Sequence, residues 1–96
     1  MLVVTVRFAV KKQHSAAFDA RVRKQATDSL ALEDDCHRFD IAASVDDPSK
    51  IFLYEIYADE AAFQDHLRSA HFLSFKADTQ DWIETALVER WDGPRT

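Results

Sequence analysis

His66 is the residue whose type and surroundings best suit acid–base chemistry. It follows Ala62 by one helical turn, precedes Ala70 by another, and lies between Phe63 and Leu67, so it projects from the edge of an apolar helix face. Apolar surroundings can move an imidazole pKa across neutrality, which suits a base or a proton donor. A histidine at a core edge that merely bonds a backbone carbonyl is the plainer alternative. Glu55 is the second candidate, at the centre of Leu53-Tyr54-Glu55-Ile56-Tyr57. A carboxylate in so apolar a strand is costly to bury unless paired or protonated. It either bridges to Arg38 or Arg7 across a sheet, or faces a cavity and orients or deprotonates a ligand. Asp40 poses the same question and shares a strand face with Arg38. His71 begins the next helical stretch, where capping or a solvent contact would also explain it. Tyr54 and Tyr57 fall on opposite strand faces, so at most one can line a pocket on the helix side. Phe72, Phe75, Trp82 and Trp91 suit a core or an interface better than a stacking platform.

Other chemistries lack their residues. Gly93 is the only glycine, which excludes phosphate-cradling loops of the P-loop or dinucleotide kind. Cys36 has no cysteine partner, so there is no internal disulfide, as suits a reducing cytoplasm. The four histidines (His14, His37, His66, His71) lack the i, i+4 spacing that favours zinc on a helix, and no metal is expected. Net charge is −5 with a pI near 5.2, and Lys and Arg are scattered, so nucleic acid is not an expected partner. No apolar run approaches the roughly 18 residues that cross a bilayer. Met1 leads straight into Leu2-Val3-Val4-Thr5-Val6, which reads as a strand, not a signal peptide, and a cytoplasmic location is expected.

The elements that must position these residues follow from periodicity. Residues 2–10 (LVVTVRFAV) alternate, with Leu2, Val4, Val6, Phe8 and Val10 on one face. From His14 the period lengthens, and Phe18, Val22, Ala26 and Leu30 mark a helix with Ser15 as N-cap and Glu33-Asp34-Asp35 at its end. Residues 36–45 and 51–57 form two strands joined by the turn Asp46-Asp47-Pro48-Ser49-Lys50. Asp59 caps a second helix, a further short one runs from about Phe72 to Trp82 with Phe72, Phe75, Trp82 and Ile83 buried, and residues 85–91 close as a strand. The order β-α-β-β-α-β, with its second helix broken in two, predicts an α+β ferredoxin-like domain over residues 1–96, its helices on one face of a four-stranded antiparallel sheet. Ninety-six residues make a thin core, yet 47% are hydrophobic, including seven Phe and two Trp. The first and third strands are apolar on both sides, which predicts a homodimer with sheets face to face.

Cys36-His37-Arg38-Phe39-Asp40, Phe52-Leu53-Tyr54-Glu55-Ile56-Tyr57, Asp59-Glu60-Ala61-Ala62, His66 and Ser69-Ala70-His71-Phe72 together resemble the antibiotic biosynthesis monooxygenase superfamily. The likeness in element order spans nearly the whole chain and is sharpest over residues 36–75. It implies a dimeric α/β barrel with a cavity between sheet and helices in each subunit. It also implies oxidation of a phenolic or quinol small molecule by O2 without flavin, haem or metal. On that resemblance His66 acts as base or donor and Glu55 orients it. Tyr57 bonds a substrate oxygen, and Arg38, Asp40, His71 and Phe72 complete the substrate-binding set. Arg38-Phe39-Asp40 and Tyr54-Glu55-Ile56-Tyr57 look closer to another branch, the isomerase of the phosphorylated autoinducer-2 signal. That reaction needs acid–base residues but no oxygen, and Lys76 with Arg68 is the best available cradle for its phosphate. A non-catalytic ligand-binding dimer is the third reading, since a fold does not fix a reaction.

Overall fold

Alternating β-branched and aromatic residues make Leu2–Val10 the first strand, β1, of the computed structural model, which describes all 96 residues. There follow α1 (Ser15–Leu32), β2 (Cys36–Ala43), β3 (Lys50–Tyr57), α2 (Glu60–Arg68), α3 (Ala70–Thr79) and β4 (Ile83–Asp92). The sheet order is β2-β3-β1-β4 and every pair is antiparallel, so the ferredoxin-like α+β arrangement expected from the sequence is the one formed. No helix is long and apolar enough to cross a membrane.

The helix side of the sheet carries the core. Val4, Val6 and Phe8 of β1, Phe39 of β2 and Leu53 of β3 meet Phe18 and Val22 of α1, Phe63 of α2 and Phe75 of α3. Phe18 packs edge-on to Phe8 at 5.1 Å between ring centroids and lies 6.0 Å from Phe75, joining sheet, α1 and α3. Each such side chain contributes roughly 1.5–3 kcal/mol on full burial. The opposite sheet face has no helix over it, and Phe52, Leu87 and Trp91 are exposed there.

Several details differ from the sequence reading. The buried stripe of α1 is Phe18, Val22, Gln25, Ala26 and Ser29, while Leu30 is 47% exposed. An α-helix advances about 100° per residue, so three steps of four overshoot the starting direction by about 120°. That drift carries Leu30 off the face and brings Gln25 and Ser29 onto it. Ser15 is the first residue of α1 and not its N-cap; a single 3-10 turn, Lys12–His14, runs into the helix and leaves no side-chain cap. Asp59 does cap α2, accepting the Ala62 N–H at 2.8 Å. α3 begins two residues earlier than expected and passes through a 3-10 turn at Gln80–Trp82, so Ile83 opens β4 instead of closing a helix.

Ser69 is what breaks the second helix. Its backbone is extended (ψ 149°), and it ends α2 and starts α3. Its hydroxyl donates to the His66 carbonyl at 2.7 Å and accepts the Phe72 N–H at 3.2 Å. One small polar side chain thus satisfies a backbone group on each side of the break.

Candidate functional site

The cap at Asp59 fixes the start of α2, and two turns later His66 faces the sheet on the same side as Ala62 and Phe63. It is 3% exposed. Its ring is walled by Tyr57 (5.2 Å between centroids), Phe72 (5.1 Å), Phe63 (6.2 Å) and Phe39 (6.3 Å). Nδ1 lies 2.7 Å from Oε2 of Glu33, the residue that ends α1, and the same oxygen takes Nε2 of His71 at 2.5 Å. A carboxylate accepts but does not donate, so each imidazole presents an N–H to it. For His66 this puts the proton on Nδ1 and leaves the lone pair on Nε2, which bonds no protein group and is not sealed from the adjoining cavity. Burial pushes the His66 pKa below its ordinary value, with the Glu33 hydrogen bond and charge pulling the other way, so the ring is neutral at pH 7.

Glu55 and Tyr57 form a second pair on β3, two residues apart and therefore on one face. The Tyr57 hydroxyl donates to Oε1 of Glu55 at 2.5 Å. Burial lifts the Glu55 carboxyl to about 7, against the pull of the Tyr57 hydrogen bond, and the Glu33 charge adds to the lift. Tyr57 itself is raised far beyond the physiological range, first by burial and then by Glu55, so it remains a phenol. The carboxylate on His66 is thus that of Glu33, while Glu55 is tied to Tyr57.

Beside these pairs lies a chamber of ≈ 380 Å³, within the range of small-molecule sites. Its walls are mostly apolar, with Val6, Phe39 and Leu53 from the sheet and Phe63, Leu67, Phe72 and Phe75 from the helices. Gln25, Glu55, His66, Lys76, Thr79 and Gln80 are its polar members.

Of the residues singled out from sequence, His66, Glu55 and Phe72 line the chamber. Tyr57 and His71 stand behind it, bonded to Glu55 and Glu33. Arg38 and Asp40 do not join them: Arg38 Nε pairs with Asp40 Oδ2 at 2.6 Å, both exposed, on the sheet face turned away from the helices. Two residues went unnoticed as site residues. Glu33 read as a helix terminator, and nothing local signals a partner 33 residues away. Gln25 carried a signal, since it falls three residues after Val22 and seven after Phe18, which is helical spacing.

Glu33 Oε2, His66 Nδ1 and His71 Nε2 lie within 4.8 Å of one another, and such a trio can hold a divalent cation. Here both nitrogens already bond the carboxylate oxygen, so a cation would have to replace those two hydrogen bonds.

A ferredoxin-like sheet with helices on one face, an apolar chamber between them and a histidine–carboxylate pair at its edge, defines a class of small α+β proteins. Residues 1–78 match the family model described as antibiotic biosynthesis monooxygenase, and the chain belongs to that family. Among solved structures, a candidate antibiotic biosynthesis monooxygenase from Nitrosomonas europaea is 32% identical, with a TM-score of 0.92 over 98% of this chain and 99% of that one. A candidate member from Bacteroides thetaiotaomicron (24% identity, TM-score 0.91, 97% and 89% coverage) shares the fold. So does the protein Rv0793 of Mycobacterium tuberculosis (23% identity, TM-score 0.89, 99% and 96% coverage). No curated protein matches the sequence.

Proposed function

We propose that this protein is a cofactor-independent monooxygenase of a phenol, quinol or similarly electron-rich ring. The observation that carries this reading is the His66 ring, held at Nδ1 by Glu33 and free at Nε2 beside an apolar chamber. Nε2 takes the phenolic proton, and the Glu33 carboxylate stabilises the imidazolium that results. Walls of Phe39, Phe63 and Phe72 give the phenolate apolar surroundings, which preserve its reactivity.

The ionised ring passes one electron to O2, and the radical pair combines to form a carbon–oxygen bond. Cleavage of the O–O bond then releases water. For a phenol with an open para position, one phenol and one O2 give one quinone and one water: a C–H and an O–H bond are lost, one oxygen atom enters the ring, and the ring supplies every electron. Glu55, with its carboxyl near neutrality and Tyr57 behind it, is placed to return a proton as water leaves.

The isomerase reading has less support. A phosphorylated hydroxy-dione needs cations, yet Arg68 is paired with Asp65 at 2.8 Å and Lys76 is the only cation on the chamber wall.

The test is oxygen uptake by the pure protein with menadiol and a panel of polycyclic phenols. Uptake above the spontaneous rate, lost in His66→Ala, is the expected result. No excess across the panel would remove the proposal, and proton exchange on a hydroxy-dione under anaerobic conditions would favour the isomerase.

A further inference from the structure

Gln25 is 1% exposed, lies on the buried stripe of α1, and lines the chamber, yet neither its Oε1 nor its Nε2 has a hydrogen-bond partner. A buried amide left unpaired is destabilising, and an apolar residue of similar size would serve the core better. Each other buried polar side chain on the wall has at least one protein partner. Thr79 Oγ1 donates to the Phe75 carbonyl, Glu55 accepts from Tyr57, and His66 Nδ1 is held by Glu33. Lys76 and Gln80 are exposed and reach solvent. Ser29 Oγ, one turn further along α1, also lacks a partner but does not line the chamber.

We propose that the Gln25 amide recognises a donor–acceptor pair on the ligand, of the carboxamide or hydroxy-carbonyl kind, and so selects among aromatic substrates. This rests on the chamber being the substrate site, but not on the reaction carried out there. Neither amide atom has exposed surface where it lies, so the side chain must turn toward the chamber to meet a ligand. So presented, a primary amide is complementary to a group that offers one donor and one acceptor side by side, because two hydrogen bonds then close a ring. A bare hydrocarbon edge leaves both amide ends unpaired, and a lone ether or carbonyl satisfies only one. Gln25 therefore discriminates against simple phenols as much as it favours substituted ones, since a polar site rejects ligands that leave it unpaired.

The test compares binding of 1-naphthol with that of its 2-, 4- and 5-carboxamides, to wild type and to Gln25→Leu, by calorimetry under anaerobic conditions. At least one carboxamide should bind wild type about tenfold more tightly than 1-naphthol, the worth of one or two net hydrogen bonds. In Gln25→Leu that preference should shrink to about twofold or less while 1-naphthol binds as well or better. The ligand-free variant should also melt at a higher temperature, because the unpaired amide is gone. If Leu does not fold there, Gln25→Met carries the same expectations. The same preference in wild type and variant, an equal loss for every ligand, or no binding to wild type would each overturn the proposal. Oxygen uptake separates it from the reaction: selective binding without oxygen consumption would sink the monooxygenase reading and leave the role of Gln25 standing.

Discussion

Nδ1 of His66 and Oε2 of Glu33 are 2.7 Å apart, although 33 residues separate them in the chain. The contact ties the end of α1 to the last turn of α2 and sets which imidazole nitrogen carries the proton. Burial alone would make His66 a weak base, and the carboxylate restores part of its basicity.

Glu33→Gln should therefore lower kcat about 10–100-fold, the usual effect of losing a carboxylate behind a working histidine, with KM little changed. Glu33 holds the His66 pKa up, so its removal should move the acid limb of the pH–rate profile to lower pH. An unchanged limb would show that His66 is not the titrating base.

Glu55 makes stability depend on pH with a definite sign. Its carboxyl is near 4.5 when unfolded and about 7 in the folded protein, so between these values the folded state holds the extra proton. Its contribution is fully present below pH 4.5 and is lost as pH rises through 7. Glu55→Gln removes that loss and keeps an oxygen for Tyr57 to donate to. The variant should match wild type at pH 4.5 and exceed it by about 3 kcal/mol at pH 8, as read by urea denaturation. His66 titrates in both proteins and in the opposite sense, so it cancels from the difference. A difference independent of pH would contradict the raised carboxyl.

Local pattern made the strands, the Asp59 cap and the broken second helix legible, because each depends on neighbours in sequence. His66 was readable for the same reason: its buried face is a property of α2 alone. Glu33 was not, since its role depends on α1 ending beside α2 and α3, a tertiary fact that no spacing encodes. Gln25 fell between these cases. A strict four-residue step selected Leu30, where the 3.6-residue turn puts Gln25 and Ser29 inward. Arg38 and Asp40 entered the expected site with the family resemblance; they pair with each other on the exposed sheet face turned away from the chamber.

Ser69 holds the joint between α2 and α3, and His66 is the last buried residue before it. Its hydroxyl bonds the His66 carbonyl and the Phe72 N–H and lies 3.2 Å from Nε2 of His71. Ser69→Ala should lower stability by about 1–2 kcal/mol in urea denaturation, with Ser69→Thr recovering most of it. A variant as stable as wild type would mean the break in the helix is held by packing alone.

Phe52 and Leu87 both pair opposite Arg7, and Trp91 pairs opposite Val3, so the sheet register gathers the three on one face. All are exposed in the single chain, and no helix reaches them. We predict that an equal face on a second copy covers it in solution, because a two-fold pairing of sheets would bury the same residues on both subunits. Sedimentation at micromolar concentration should therefore find a dimer. Leu87→Asp, which sets a charge on that face midway along the edge strand β4, should yield a monomer that keeps its secondary structure. A wild-type monomer at that concentration would overturn the pairing. A dimer indifferent to Leu87→Asp would move the interface elsewhere, with the other exposed side of β4 at Val88 the next place to look.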